Sequence, residues 1–171
     1  MRVVFLSPWI TLLVDFAAWA AFQVAISWLG LHFPDRWFAE PAGLFRTRRF
    51  ERDGRWYERV LRIRSWKRYL PDGGGLFRRG YRKRRMPEGD APESIGRYLL
   101  ESRRAELTHV LSILPCALFF LWNPPEAGWV MVGFALLQNL PCIAAQRYNR
   151  PRFERLAEAR SRRAGKGRKD A

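Results

Sequence analysis

Residues 6–31 read LSPWITLLVDFAAWAAFQVAISWLGL, and Asp15 is the single charged side chain in this stretch. At about 1.5 Å per residue, a helix of this length exceeds the roughly 30 Å hydrocarbon core of a bilayer. The stretch therefore predicts a transmembrane helix over 6–31. A cleaved signal peptide is the alternative, because the Ala-Trp-Ala sequence at 18–20 resembles a cleavage site, but the apolar residues continue well beyond it.

A second apolar zone is interrupted at residues 123–125, where the sequence Asn-Pro-Pro favours a turn. The zone predicts a transmembrane hairpin of two helices over 107–122 and 127–145. The first of these is short, but the Pro-Glu-Ser sequence at 92–94 is typical of a helix start and would add a polar first part. A re-entrant hairpin that does not cross the bilayer is the alternative.

The positive charge lies outside these apolar stretches. The 171 residues include 31 Lys and Arg against 16 Asp and Glu, a formal charge of +15. One Lys or Arg precedes the first helix, 20 lie in residues 32–106, none lies between the hairpin helices, and ten lie in residues 146–171. Because cytoplasmic flanks carry the excess of Lys and Arg, we predict an all-α membrane protein with three transmembrane helices, its N-terminus outside and its C-terminus cytoplasmic. The basic loop 32–106 and the basic tail 146–171 would both be cytoplasmic, within a single membrane domain over 1–171.

The cytoplasmic loop contains an amphipathic pattern over about 54–70, where apolar residues recur at three- and four-residue steps between Arg side chains. The pattern favours an interfacial helix whose rings enter the headgroup layer. Arg59, Arg62 and Lys67 would then face anionic lipid or an anionic substrate. A glycine-rich loop at 72–75 and a cluster of Lys and Arg within 78–85 follow; the cluster lacks a P-loop pattern and is typical of a polybasic patch beside a membrane.

Several polar side chains interrupt the three predicted membrane helices. We expect one group of them to share the cytoplasmic half of the bilayer: Gln23, His109, Ser112, Gln138 and Asn139. Polar groups at that depth need partners and often mark functional sites. Hydrogen bonds that only join helices are the alternative. Asp15 falls in the outer half, where a role in packing and a role in contacting a partner both remain open.

Glu106 and His109 lie on one face of the second membrane helix near its cytoplasmic end. An imidazole takes up a proton near neutral pH, and a carboxylate can orient it. His109 is therefore predicted to act as a general base, with Glu106 as its orienting partner. An interfacial histidine among ordinary helix salt bridges is the alternative. Neither Cys has a charged neighbour that would activate a thiolate, and no His and Cys spacing suits zinc.

A dense set of hydrogen-bond donors follows the third predicted helix, where residues 146–152 read QRYNRPR. Arg side chains bind phosphate or carboxylate with two parallel hydrogen bonds. Anchoring to anionic lipid is the alternative, but it explains the Arg residues and not the intervening Tyr-Asn. On the second helix, Glu101 lies beside Arg104 by helical spacing.

Four blocks of the sequence, in this order, resemble the glycosyl-4,4'-diaponeurosporenoate acyltransferase family, the small membrane enzymes of the staphyloxanthin carotenoid pathway. The blocks are Leu29-Gly30 with Pro34-Asp35, Trp66-Lys67 with Asp72-Gly73, Arg104-Ala105-Glu106-Leu107 with His109 and Ser112-Ile113-Leu114-Pro115, and residues 146–152. The resemblance implies transfer of a fatty acyl group to the primary hydroxyl of a glucose on a carotenoid acid, at the cell membrane. The Arg-rich residues after Gly75 and the long basic tail depart from the family pattern, so a related glycolipid is an alternative acceptor.

The combined prediction is a membrane acyltransferase that esterifies a sugar hydroxyl of a glycosylated carotenoid or related glycolipid. Its catalytic residues would be His109 and Glu106. Its substrate-binding residues would be Arg104, Glu101, Arg147, Tyr148, Asn149, Arg150, Trp66 and Lys67. No bound cofactor or metal is expected, while acyl-CoA or another acyl carrier would be the co-substrate, its phosphates attracted by the basic cytoplasmic face.

Membrane lipid and a glycosylated lipid acceptor are the predicted partners, and a homo-oligomer or a complex with pathway enzymes is left open. Nucleic acid is not expected, because the membrane helices already account for the placement of the charge. A non-enzymatic membrane adaptor is the alternative function. It would bind anionic lipids or partner enzymes through the polybasic loop, but it does not explain the polar side chains within the membrane helices.

Overall fold

The computed structural model describes residues 2–40, 43–70 and 92–167, and the regular elements within these ranges are all helical. The α-helices are α1 (Pro8–His32), α2 (Arg55–Leu61), α3 (Ile63–Trp66), α4 (Pro92–Ile113) and α5 (Pro125–Gly167). Short 3-10 helices occupy Asp35–Trp37, Gly43–Phe45, Arg49–Gly54 and Lys67–Tyr69, and a longer one over Leu114–Leu121 follows α4 at Pro115. The predicted all-α fold is confirmed.

Three helical stretches of the described residues are long and apolar enough to cross a membrane: Pro8–His32, Ser94–Leu121 and Pro125–Arg162. This confirms the three predicted spans by length and composition. The second stretch is long enough because α4 begins at Pro92, where the sequence has its helix-start signal. The orientation of the chain across the membrane stays a prediction.

The chain divides into two compact units. The first, here called the apolar unit, comprises Met1–Phe33 and Glu106–Ile143. Its helices expose large apolar side chains; Trp9 is 82% exposed and Leu137 is 74% exposed. Apolar side chains that project outward along whole helices are typical of a protein surface that faces lipid.

Asp15 is buried inside the apolar unit, where its carboxylate joins α1 to the turn between the second and third membrane-length stretches. One carboxylate oxygen, Oδ1, accepts hydrogen bonds from Trp122 Nε1 and Asn123 Nδ2, each at 2.7 Å. A charged group withdrawn from water needs such donors. Of the two roles left open for Asp15, the structure therefore supports packing.

The second unit, here called the basic unit, comprises Pro34–Ala105 and Ala144–Ala171. Its hydrophobic core is small. The buried members are Tyr57, Ile63, Ala144, Ala145 and Tyr148, with Trp56, Trp66 and Leu70 packed against them. The small alanines of α5 leave room for the large side chains of α2 and α3 beside that helix.

The structure differs from the single interfacial helix predicted over about 54–70. Arg62 adopts a left-handed backbone conformation with φ of 48°, and this residue separates α2 from α3. Tyr57 and Ile63 are buried in the core of the basic unit, whereas Val60 is exposed. The three- and four-residue spacing indicated an apolar face correctly, but part of that face packs against protein because the spacing does not specify what covers it.

Helix α5 continues beyond the predicted third span. It passes through Pro141 and Pro151 and ends at Gly167, so most of the segment predicted as a basic tail over 146–171 is helical. The glycine-rich loop at 72–75 and the polybasic cluster at 78–85 lie outside the described residues.

Gly54 precedes α2 with φ of 88°, and a Cβ atom at this position would lie 2.9 Å from the carbonyl oxygen of Tyr148. Left-handed backbone costs an L-residue roughly 1–2 kcal/mol, and the contact adds to this strain. We expect Gly54→Ala to lower the apparent melting temperature in detergent by roughly 5 °C, given about 2–4 °C per kcal/mol for a chain of this size. Gly96→Ala in α4 is the control, since nothing lies within 4 Å of a Cβ there. Equal melting temperatures for the two variants would contradict this account of Gly54.

Candidate active site

His109 in α4 forms a hydrogen bond with Asn139 in α5, with 3.0 Å between His109 Nδ1 and Asn139 Oδ1. Asn139 is 1% exposed, and its Nδ2 donates to the carbonyl oxygen of Ala135 at 2.9 Å. This second bond fixes the orientation of the amide, because only Nδ2 can donate to a carbonyl. Asn139 Oδ1 therefore accepts and His109 Nδ1–H donates. In a neutral imidazole that carries its proton on Nδ1, Nε2 is the basic nitrogen.

Glu106 is fully buried and lies one helical turn before His109 in α4. Side chains three residues apart on a helix are neighbours, so the predicted proximity of the two follows from the helix itself. The partner that orients His109 Nδ1 in the structure is the Asn139 amide. A catalytic role for Glu106 stays a prediction.

The other polar residues of the predicted membrane layer also lie in the apolar unit. Gln138 Oε1 accepts a hydrogen bond from Trp19 Nε1 at 3.0 Å, which joins α5 to α1. Ser112 is buried and Gln23 is half-buried. Two of the predicted polar residues, Gln138 and Asn139, thus bind polar groups of neighbouring helices, as groups removed from water must. Their depth in a bilayer stays a prediction.

Arg104 and Glu101 belong to an ion-pair network within the basic unit. Arg104 Nε lies 3.2 Å from Glu101 Oε2, and the same guanidinium pairs with Asp35. Arg97 contacts both carboxylates, at 2.9 Å from Asp35 and 2.7 Å from Glu101. Arg104 and Glu101 are both buried. These two residues, predicted to bind substrate, are therefore engaged by other protein side chains.

Arg147 is engaged by Glu51, a carboxylate that is only 2% exposed. Glu51 Oε1 accepts hydrogen bonds from Tyr57 Oη and from Arg147, each at 2.5 Å, and Oε2 accepts one from the backbone N–H of Arg48 at 2.5 Å. Burial, together with the neighbouring carboxylate, raises the pKa of Tyr57 well above its ordinary value. The charge of Arg147, a predicted substrate-binding residue, is balanced here by Glu51 within the protein.

Tyr148 and Asn149 contact the segment that contains α2 and α3. Tyr148 Oη donates to Glu58 Oε2 at 2.7 Å and accepts from Arg64 Nε at 3.1 Å. Lys67 Nζ donates to Asn149 Oδ1 at 3.0 Å and lies 4.7 Å from the centre of the Tyr148 ring. Burial, assisted by the positive charges of neighbouring arginines, lowers the pKa of Lys67. The structure thus brings together three predicted substrate-binding residues, Lys67, Tyr148 and Asn149.

The remaining two predicted substrate-binding residues also bind protein groups. Arg150 is buried and donates to the carbonyl oxygen of Phe45 at 2.9 Å. Trp66 Nε1 donates to the carbonyl oxygen of Leu61 at 2.7 Å, and its ring packs against the core of the basic unit. All eight predicted substrate-binding residues therefore have protein partners within the basic unit.

Sequence reasoning missed the carboxylates that organise these contacts. Glu51 and Glu58 were given no role, and Asp35 was noted only as part of a family motif. The sequence did contain a signal for these carboxylates, because an acidic residue inside an Arg-rich segment can neutralise a neighbouring arginine. The sequence does not specify which Arg each one would bind, since Glu51 and Arg147 are 96 positions apart.

The described residues define a class of helical protein with three membrane-length apolar stretches, a hydrogen-bonded His–Asn pair in the apolar unit and an arginine–carboxylate network in the basic unit. The sequence profile of the family described as glycosyl-4,4'-diaponeurosporenoate acyltransferase matches residues 34–159. The chain belongs to this family.

Individual members of the family match most of the chain. Two proteins named glycosyl-4,4'-diaponeurosporenoate acyltransferase, from Staphylococcus aureus strains bovine RF122 / ET3-1 and MRSA252, are each 34% identical over 145 residues, 85% of this chain and 87% of the relative. The protein of the same name from strain Newman is 33% identical over 138 residues, 81% of this chain and 82% of the relative. No solved structure matches the chain significantly. The predicted resemblance is confirmed, and the family identifies the chain as an acyltransferase rather than a non-enzymatic adaptor.

Replacing Glu51 by Gln removes the negative charge that faces Arg147 inside the basic unit. Breaking a buried ion pair from one side costs about 3–5 kcal/mol because the other charge is left uncompensated. We therefore expect Glu51→Gln to lower the apparent melting temperature by roughly 10 °C. Asp53→Asn is the matched control: Asp53 pairs with Arg155 at 3.3 Å, and both side chains are more than half exposed. Such pairs contribute about 1 kcal/mol at most. A Glu51 variant as stable as the Asp53 variant would show that Arg147 does not depend on this carboxylate.

Proposed function

We propose that this chain esterifies a sugar hydroxyl of a glycosylated carotenoid, or of a related glycolipid, with a fatty acyl group at a membrane. The name of its relatives supports the reaction and the acceptor. The three apolar stretches support a lipid environment for both lipid substrates. The observation that carries the catalytic part of the proposal is the hydrogen-bonded pair of His109 and Asn139, which leaves a basic nitrogen on an imidazole within the apolar unit.

In the proposed reaction, His109 Nε2 removes the proton of the sugar hydroxyl while the hydroxyl oxygen attacks the carbonyl carbon of an acyl thioester. The tetrahedral intermediate then breaks its C–S bond, and the departing thiolate takes the proton back from the imidazolium. One ester C–O bond forms, one thioester C–S bond breaks, and His109 returns to its starting state. The acyl group passes directly from donor to acceptor without an acyl-enzyme.

Asn139 acts in this scheme as a positioning residue, because its amide oxygen holds the Nδ1 proton and so fixes the tautomer of His109. Glu106, one turn earlier in α4, would favour the imidazolium that exists after proton uptake. These two roles differ: the amide orients the neutral ring, whereas the carboxylate stabilises the charged one.

Arg104, Arg147 and Arg150 are buried or nearly so, and each binds protein oxygen atoms in the basic unit. In the proposal, these contacts stabilise the fold of the basic unit. Direct contact between Arg147 and a donor phosphate would require the exchange of Glu51 as its partner, at the cost of leaving a buried carboxylate without its counter-charge.

The proposed location is the cell membrane, with the N-terminus outside and both basic segments in the cytoplasm. The distribution of Lys and Arg supports this orientation. A cytoplasmic basic face would attract a phosphate-bearing donor such as acyl-CoA. The direct test of the function is to supply purified protein in nanodiscs with palmitoyl-CoA and a glycosylated carotenoid, and to detect the fatty acyl ester by mass spectrometry. Absence of any ester with acyl-CoA and acyl carrier protein donors would refute it.

We expect His109→Ala to lower the rate of ester formation by about 100-fold or more, because general-base catalysis contributes roughly 10²–10⁴. The rate is measured with purified variants at matched protein concentration. His32→Ala is the control. His32 is the other histidine of the chain, it is exposed, and its Nδ1 lies 2.8 Å from the carbonyl oxygen of Trp28 in the same helix. An undiminished rate in His109→Ala would remove His109 from the mechanism.

Asn139→Leu should lower kcat about tenfold or more while leaving KM nearly unchanged, because the substrate contacts remain and the ring loses its fixed tautomer. A changed pH–rate profile should accompany the loss, since the variant alters the proton equilibrium of the ring. The control Gln138→Leu removes the neighbouring amide, which binds Trp19 and not His109. If both variants lose activity equally and neither changes the pH–rate profile, Asn139 serves packing and not catalysis.

A further inference from the structure

The basic unit contains an open groove that none of the preceding roles uses. Its volume is about 560 Å³, and it is lined by Phe50, Arg55, Trp56 and Arg59. Phe50 comes from the 3-10 helix before α2, and the other three side chains come from the first turns of α2. Small-molecule sites typically measure about 300–1,000 Å³, so the groove has the size of a ligand site.

The two rings of the groove form an aromatic corner. Their centres are 5.7 Å apart and their planes meet at 84°. Phe50 is 56% exposed. Trp56 is fixed in position because it also packs against the core of the basic unit. A planar ring that is exposed and fixed in place offers a stacking surface for a heteroaromatic base.

Among the described residues that line the groove, both charged side chains, Arg55 and Arg59, are positive. Arg55 and Arg59 are both exposed at the rim, four positions apart on α2, and side chains with that spacing lie on the same face of a helix. This arrangement contrasts with Arg104, Arg147 and Arg150, whose guanidinium groups lie inside the unit. Two exposed guanidinium groups beside an aromatic corner match a ligand that carries phosphates next to a planar base.

We propose that this groove binds the adenosine 3',5'-bisphosphate end of a coenzyme A thioester, with the adenine against Phe50 and Trp56 and the phosphates on Arg55 and Arg59. The inference rests on the proposed function, which requires an acyl donor, and it names the donor and its binding site. The pantetheine arm separates the nucleotide of coenzyme A from its thioester, so the groove need not adjoin the reacting carbonyl.

A membrane surface is the competing occupant, since exposed aromatic and Arg side chains also enter lipid headgroups. The concave shape favours the nucleotide, because a surface that only adheres to lipid has no need of a cavity. A lipid headgroup and the nucleotide of coenzyme A both carry phosphate, but only the nucleotide also carries an adenine base. Competition by compounds with and without adenine therefore separates them.

The test measures binding of coenzyme A to the full-length protein in phosphatidylcholine nanodiscs by isothermal titration calorimetry. Arg59→Gln and Phe50→Ala should each weaken binding about tenfold, because a charge-assisted contact or a stacked base is worth at least about 1.4 kcal/mol. Arg36→Gln is the matched control: it removes the same charge from an exposed side chain of the basic unit outside the groove. Adenosine 3',5'-bisphosphate should compete with coenzyme A, and inorganic pyrophosphate should compete at least tenfold less well.

Equal affinity of wild type and both groove variants for coenzyme A would overturn the inference, as would equal competition by pyrophosphate. So would a loss of binding to phosphatidylglycerol vesicles in the groove variants with coenzyme A binding intact, which would assign the groove to the membrane. Ester formation from acyl-CoA with an unchanged KM in these variants would reject the groove and leave the proposed function standing. Conversely, groove-dependent binding of coenzyme A without ester formation from any donor would reject the proposed function and leave the nucleotide site.

Discussion

A polar group that is removed from water needs a partner inside the protein, and this requirement organises both units of the chain. In the apolar unit, Asp15 accepts two hydrogen bonds from the turn that precedes α5. In the basic unit, Glu51 accepts three hydrogen bonds, two from the nearby Arg48 and Tyr57 and one from the distant Arg147. The hydrophobic core of the basic unit is small, so buried ion pairs carry much of its specificity. One missing partner therefore costs more than a lost apolar contact of similar size.

The same requirement separates the arginines into two groups. Those whose guanidinium groups lie within the basic unit are balanced by carboxylates or by backbone carbonyls, as with Arg147 and Arg150. Those at the groove, Arg55 and Arg59, remain exposed. A count of 31 Lys and Arg in the sequence cannot distinguish the groups. The exposed ones are accessible to an external phosphate, whereas the buried ones are not. The basic composition thus serves folding at some positions and recognition at others.

The sequence predicts what depends on composition and local spacing. The first membrane-length helix, the Asn-Pro-Pro break at 123–125 and the helix start at 92–94 follow from hydropathy and from the backbone limits of proline. The sequence also placed Asn139 among the polar residues of the membrane helices, because an amide in an apolar helix is conspicuous. It did not show that Asn139 binds His109, since that contact depends on how α4 and α5 pack.

The sequence-based expectations were incomplete where the structure depends on contacts between residues that are far apart in the sequence. The segment at 54–70 has a regular apolar spacing, yet Arg62 interrupts the helix and Tyr57 turns to the protein core. Residues 146–152 were singled out for their many hydrogen-bonding groups, and in the structure these groups do form many contacts. Their partners are Glu51, Glu58 and Lys67, which lie far away in the sequence. A motif rich in donors therefore indicates many contacts without showing whether a ligand or the fold provides the acceptors.

The partner of His109 has a chemical consequence, because a neutral amide and a carboxylate orient an imidazole at different energetic cost. A carboxylate would form an ion pair with the protonated ring, and within an apolar unit the desolvation of two charges is expensive. Asn139 provides the same acceptor geometry with no charge, and its own N–H is bound to Ala135. In the proposed reaction, the resting ring is neutral and takes a proton from the incoming hydroxyl. In the same proposal, the positive charge appears only during the reaction, when an acyl oxyanion is present to balance it.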